Sequence, residues 1–125
     1  MPATLQDLLA LARHHVTIIN DQQAEIMLQN QCAVLDVREP GEFQQGHLPD
    51  AVNIPRGILE FKIADHPAID DFNTPVLIYC KNGGRSTFAA ATLKEMGYQQ
   101  VKMLDGGFDS WQGHVHKIEK EIGAY

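Results

Sequence analysis

Cys80 ends an apolar, β-prone run, Pro75-Val76-Leu77-Ile78-Tyr79, and opens the segment Cys80-Lys81-Asn82-Gly83-Gly84-Arg85-Ser86. Residues Ser86 to Met96 then read as a helix, with Phe88, Ala89, Ala91, Thr92, Leu93 and Met96 as its packing face and Gly97 as its stop. A strand, a glycine loop and a helix in that order aim successive backbone N–H groups, and the positive end of a helix dipole, at one thiol. Such surroundings favour the thiolate, which is the nucleophilic form of sulfur. Gly83-Gly84 lets the backbone curl without side-chain obstruction, and Lys81 and Arg85 flank the curl with positive charge. The segment from Lys81 to Ser86 therefore reads as a cradle for ionised sulfur and for an anionic group attached to the attacked sulfur. The competing reading is an inert core cysteine followed by a plain turn. The flanking cations and the helix that follows favour the cradle.

Elements on either side place this loop in an alternating pattern. Thr4 is positioned to cap a helix whose Leu5, Leu8, Leu9 and Ala12 share one face. Val16 to Ile19 is a short apolar run that breaks at Asn20-Asp21, either of which is placed to cap a second helix carrying Ala24, Met27 and Leu28 inward. Cys32 to Val37 is apolar except for Asp36, which suits a strand buried on both faces. Pro40-Gly41 breaks the chain before a helical turn around Glu42 to Gln45. Ala51 to Ile54 is another short strand, Gly57 to Ala64 has helical spacing, and Val101 to Leu104 is the last strand. Asp105-Gly106-Gly107 turns into a short helix with Phe108 and Trp111, and the tail from His114 has a partly amphipathic pattern. Strands alternating with helices imply an α/β fold, a mainly parallel sheet covered on both faces. Ligands in such sheets sit beyond the carboxyl ends of the strands, where Cys80 lies.

The bulk properties fit one domain spanning residues 1–125, long enough to bury a core without staples. A net charge of −6 argues against nucleic acid or an anionic membrane as partner. Two cysteines make no disulfide framework, and the apolar cluster Leu8 to Ala12 is too short for a signal sequence or a membrane span. The expectation is a cytoplasmic protein. Cys32 reads as an inert buried thiol, a partner for Cys80 only if the fold brings the two together. His14-His15 and His114/His116 have no third ligand at sensible spacing, so no metal is expected.

Two further stretches carry a family resemblance. Asp36-Val37-Arg38-Glu39-Pro40, Glu42-Phe43 and Gly46-His47-Leu48-Pro49, followed by Ala51 and Ile54, resemble the first signature of the rhodanese family. Asp50 stands where glycine is common. Leu104-Asp105-Gly106-Gly107-Phe108-Asp109-Ser110-Trp111 resembles the second signature, with Leu104 for an aromatic residue and Ser110 where an acid is common. Cys80 to Arg85 corresponds to the family's active-site loop. The resemblance runs over roughly residues 16–112, leaving outside it an N-terminal helix at about residues 4–15 and the tail 113–125. That helix is expected to cap the domain or support a dimer.

The resemblance implies a rhodanese-like sulfurtransferase that needs no cofactor. Cys80 would take a sulfane sulfur from a donor such as thiosulfate or a persulfide and become a persulfide itself. A thiol, a protein such as thioredoxin, or cyanide would then remove the sulfur. Thiolate suits this double displacement because it both attacks and leaves. Cysteine phosphatases and arsenate reductases resemble Cys-x5-Arg, a ring wide enough for a tetrahedral oxyanion. Cys80-x4-Arg85 is one residue shorter and favours sulfur. Arg85 is left with two roles, assisting an anionic donor or pairing with a carboxylate such as Asp36 or Glu42. Asp36, Arg38 and His47 read as loop organisers, while Phe108 and Trp111 are assigned to packing with a share in the pocket wall. A non-catalytic or sulfur-carrier module binding a protein partner is the alternative from another functional class.

Overall fold

The computed structural model describes residues 2–113. The expected tail helix after His114 lies outside them. Helix α1, Leu5–Arg13, starts at Thr4, whose side chain accepts from the Asp7 N–H while the Asp7 carboxylate accepts from the Thr4 N–H. Strand β1, Thr17–Ile19, leads to α2, Asp21–Gln29, where Asn20 and Gln23 make the same reciprocal cap. Strand β2 is Ala33–Asp36, α3 is Pro40–Gln45 with proline at its first position, and β3 is only Val52–Asn53. The expected helix over 57–64 is broken into a 3₁₀ turn at Arg56–Ile58, the short α4, Leu59–Lys62, and a second 3₁₀ turn at Ile63–Asp65. Pro55 and Pro67 bound this interval and leave little length for a regular helix. Strand β4, Val76–Tyr79, α5, Gly84–Glu95, β5, Val101–Leu104, and α6, Gly107–Ser110, complete the described residues.

Among the described residues, five strands form one sheet in the order β1-β5-β4-β2-β3, and every pairing is parallel. Parallel neighbours need helical crossovers, which is why the helices cover both faces. Side-chain alternation along β4 divides the core. Val76, Ile78 and Cys80 join Leu35, Val37, Ala89, Ala90 and Leu93 on the α5 face, while Leu77 and Tyr79 join Val34, Leu48, Leu104 and Trp111 on the other. Trp111 is thus a core residue. Each fully buried Leu or Ile contributes about 1.5–3 kcal/mol by leaving water. Helix α1 packs on α5, buries Leu9, and leaves Leu5, Leu8 and Leu11 exposed. Among the described residues no helix is long and apolar enough to cross a membrane.

Candidate active site at Cys80

Strand β4 lies between β5 and β2, and its carboxyl end delivers Cys80 beneath the start of α5. Alternation decides the direction of the thiol: two residues beyond Ile78, it faces α5 rather than the Trp111 side. Gly83 caps α5 with φ of +108°, a left-handed conformation that glycine adopts without a Cβ penalty. This turn brings the Gly83 N–H to 3.1 Å from Cys80 Sγ, and the Ser86 N–H donates to the same sulfur at 3.3 Å. The thiol donates to Ser86 Oγ at 3.3 Å, and Ser86 in turn donates to the Gly83 carbonyl at 3.2 Å. Thr87 Oγ1, which the motif reading passed over, donates to that carbonyl at 2.6 Å. Cys80 is fully buried.

Of the residues assigned to the cradle, Gly83 and Ser86 place N–H groups on the sulfur. Asn82 turns its side chain along the loop, where Oδ1 accepts from the Gly84 N–H at 3.5 Å. Both loop cations are paired. Arg85 grips Glu42 through two hydrogen bonds of 2.7 and 3.0 Å, and Lys81 lies 3.1 Å from both carboxylate oxygens of Asp109. Of the two carboxylates considered for Arg85, Glu42 is therefore the partner. The hydrogen bonds from Arg85 outweigh partial burial and bring the Glu42 carboxyl down to about 2. The Arg85 guanidinium is raised chiefly by Glu42, with a smaller contribution from the charge on Cys80. Asp109 was missed in the sequence because the match is between motifs, an acid in the second signature facing a lysine 28 positions earlier.

Behind the loop, on the opposite face of the sheet, Asp36 and Arg38 form a buried ion pair. Arg38 donates to Asp36 from Nε at 3.1 Å and from Nη2 at 2.7 Å, and Nη2 also reaches the Gly46 carbonyl at 2.7 Å. Burial lowers the Arg38 guanidinium, but Asp36 outweighs it and the net direction is upward. The guanidinium carbon stands 4.4 Å from the Phe108 ring centroid and 5.5 Å from that of Tyr79. Tyr79 accepts the Leu48 N–H at 3.1 Å, and burial, then the charge of Asp36, push its phenol upward. His47 stacks on Phe43 at 3.8 Å and places Nδ1 2.9 Å from the Phe43 carbonyl, a turn-organising arrangement. Asp50 has φ of +61°, a left-handed conformation that favours glycine and that aspartate occasionally adopts.

Cys32 precedes β2, at the sheet's opposite end. Ala33 pairs with Val76, so about five residues of strand rise, or about 16 Å, separate Cys32 from Cys80. It is half-buried, and burial raises its thiol. Among the described residues no cluster of His, Cys, Asp and Glu is arranged to hold a metal, and His114 and His116 lie outside them.

The family model of the rhodanese-like domain matches residues 20–114. The chain belongs to the rhodanese family. A thiosulfate sulfurtransferase, GlpE, from Pseudoalteromonas translucida (strain TAC 125) is 30% identical over 111 residues, covering 88% of this chain and 100% of that protein. A rhodanese with anions from E. coli has a similar structure at 36% identity, with 70% of this chain and 99% of that one covered and a TM-score of 0.62. A protein of unknown function from Rhodopseudomonas palustris CGA009, described as a possible tyrosine phosphatase, is similar at 27% identity and a TM-score of 0.78, over 89% of this chain and 93% of that one. Both rhodanese signatures therefore occupy defined places here: the first supplies the Asp36–Arg38 pair and Glu42, the second supplies Phe108 and Asp109 beside the loop.

Proposed function

We propose that this rhodanese-family protein is a sulfurtransferase in which Cys80 carries the transferred sulfur as a persulfide. The observation that carries the reading is the convergence of the Gly83 and Ser86 N–H groups on Cys80 Sγ at the carboxyl end of the central strand. In the first step the Cys80 thiolate attacks the outer sulfur of thiosulfate. The new S–S bond forms as the donor's S–S bond breaks, and sulfite leaves with the electron pair. In the second step a nucleophilic acceptor, a thiolate or cyanide, attacks the outer sulfur and Cys80 departs as thiolate. Electrons balance within the two displacements, so no cofactor takes part.

The hydrogen-bond pattern supports both charged states. When Cys80 loses its proton, the Ser86 hydroxyl is able to rotate from the Gly83 carbonyl and donate to sulfur. The carbonyl keeps Thr87 Oγ1 at 2.6 Å and the Thr87 N–H at 3.0 Å. The amides along Lys81, Asn82, Gly83, Gly84, Arg85 and Ser86 form the proposed substrate loop, with Lys81 and Arg85 supplying positive charge to an anionic donor while each remains paired. The four intervening residues between Cys80 and Arg85 favour a single added sulfur over a tetrahedral phosphate or arsenate. Arg85, engaged on both sides of its fork by Glu42, is not free to clamp such an oxyanion. The chemistry requires a reduced thiol, and the cytoplasm is the compartment we assign on that ground.

The test is intact mass after the reduced protein has met thiosulfate and excess donor has been removed. One added sulfur is expected on the wild type and on Cys32→Ser, and none on Cys80→Ser. Loading of Cys80→Ser to the same extent overturns the assignment. Loading from a protein persulfide but not from thiosulfate supports the carrier reading instead.

A further inference from the structure

The turn between β5 and α6 lies directly against the Cys80 loop, and its two glycines explain how. Gly106 and Gly107 have φ of +72° and +63°. A Cβ on Gly107 would meet the Cys80 carbonyl oxygen at 2.6 Å and the Lys81 carbonyl carbon and oxygen at 2.7 Å. Only glycine permits that approach. Because of it, the Phe108 N–H donates to the Cys80 carbonyl at 2.8 Å and the Asp109 N–H donates to the Lys81 carbonyl at 3.0 Å. The Lys81–Asp109 ion pair fastens the same two segments on the solvent side, and Arg38 packs on the Phe108 ring from within.

A trans peptide is planar, so a carbonyl turned one way turns the next residue's N–H the other. The Cys80 carbonyl, directed at Phe108, sends the Lys81 N–H away from α6. The Lys81 carbonyl, directed at Asp109, does the same for the Asn82 N–H. We propose that Gly107–Asp109 is a positioning segment for sulfur transfer, fixing the first two peptide planes of the loop so that the Lys81 and Asn82 N–H groups face the outer sulfur of the Cys80 persulfide. The Gly83 and Ser86 N–H groups hold the inner sulfur at 3.1 and 3.3 Å, and the new pair completes the ring around the transferred atom. The proposal rests on Cys80 carrying an outer sulfur, as in the sulfurtransferase reading.

The experiment compares amide ¹H–¹⁵N spectra before and after loading with inorganic polysulfide. Polysulfide gives up a sulfur to a thiolate and leaves as the chain one atom shorter, so loading needs no activity toward thiosulfate. In the wild type the Lys81 and Asn82 amide protons move downfield on loading. In Gly107→Ala those shifts shrink, and sulfur transfer from thiosulfate slows by about tenfold to a hundredfold, as expected when reacting groups are misplaced by a fraction of an ångström to one ångström. Unmoved wild-type resonances at Lys81 and Asn82 overturn the proposal, and so does a Gly107→Ala protein with wild-type shifts and rate. If Gly107→Ala does not fold, Phe108→Pro, which removes the N–H that holds the Cys80 carbonyl, takes its place: diminished Lys81 and Asn82 shifts support the segment, and wild-type shifts overturn it. A wild type that loads from polysulfide but never from thiosulfate refutes thiosulfate as donor, while the amide shifts still judge the positioning segment.

Discussion

Arg85 and Glu42 are joined by two charge-assisted hydrogen bonds, 2.7 and 3.0 Å long, across 43 positions of sequence. The pair ties the first turn of α5 to α3 and so braces the loop that holds Cys80. A residue that looked available to a substrate anion is engaged in holding its own loop.

The pair predicts a pH-dependent contribution to stability. Glu42 is brought down to about 2 in the folded protein from its ordinary value of 4.5. Its contribution is therefore complete above about pH 4.5 and disappears as pH falls towards 2. Both side chains are about one-third exposed, so solvent screening holds the contribution to about 1 kcal/mol or less. Urea unfolding of wild type and Glu42→Gln should show the wild type more stable at pH 6 and the gap closing as pH is lowered from 4.5. A gap that widens on acidification contradicts the assignment.

Asp36 and Arg38 behave differently because they are buried, with side-chain exposures of 0% and 5%. Asp36→Ala leaves a guanidinium inside the protein without its partner, at a cost of about 3–5 kcal/mol. Denaturant midpoints measure it. A loss below about 1 kcal/mol, the range of a solvent-exposed pair, would show that water reaches Arg38.

Gly83→Ala isolates backbone conformation from crowding. The nearest atom to an added Cβ is Met103 Cε at 4.0 Å, so there is room, but φ of +108° is unfavourable for alanine. The variant should fold, lose about 1–2 kcal/mol, and load sulfur more slowly because its N–H no longer meets Sγ. Paired unfolding and mass measurements separate the two effects, and wild-type loading by a destabilised variant would remove this N–H from the cradle.

Cys32 is expected to be irrelevant to transfer. Cys32→Ser should load one sulfur at the wild-type rate, and oxidation of the wild type should not produce an intramolecular disulfide, since bridged Cα atoms lie within about 7 Å. A loss of two mass units after oxidation of monomeric protein, with Cys32 and Cys80 linked in its peptides, would contradict the parallel register that separates them.

Much of the fold is legible because its signals are local. The apolar runs at Val34–Val37 and Val76–Cys80, the caps at Thr4 and Asn20, and the glycines around Cys80 act through neighbouring backbone. The interval 57–64 is less legible, since helical spacing there competes with two bounding prolines. Asp50 is visible in the sequence as a departure from the usual glycine, but only its positive φ gives the departure meaning.

Sequence by itself located the proposed nucleophile: a cysteine at a strand end, before a glycine loop and a helix, has its surroundings set by residues within a few positions. It also determined the family, through motifs whose order and spacing survive without coordinates. Only the tertiary structure decided the partners. Side-chain alternation sends Cys80 towards α5 and Tyr79 towards Arg38, and the parallel register puts Cys32 at the far end of the sheet. Crossovers bring Glu42 to Arg85, Asp109 to Lys81, and the Phe108 N–H to the Cys80 carbonyl. Those meetings depend on how separate elements pack against one another, and spacing along a single chain does not encode the distance between two elements it places on different sides of a sheet.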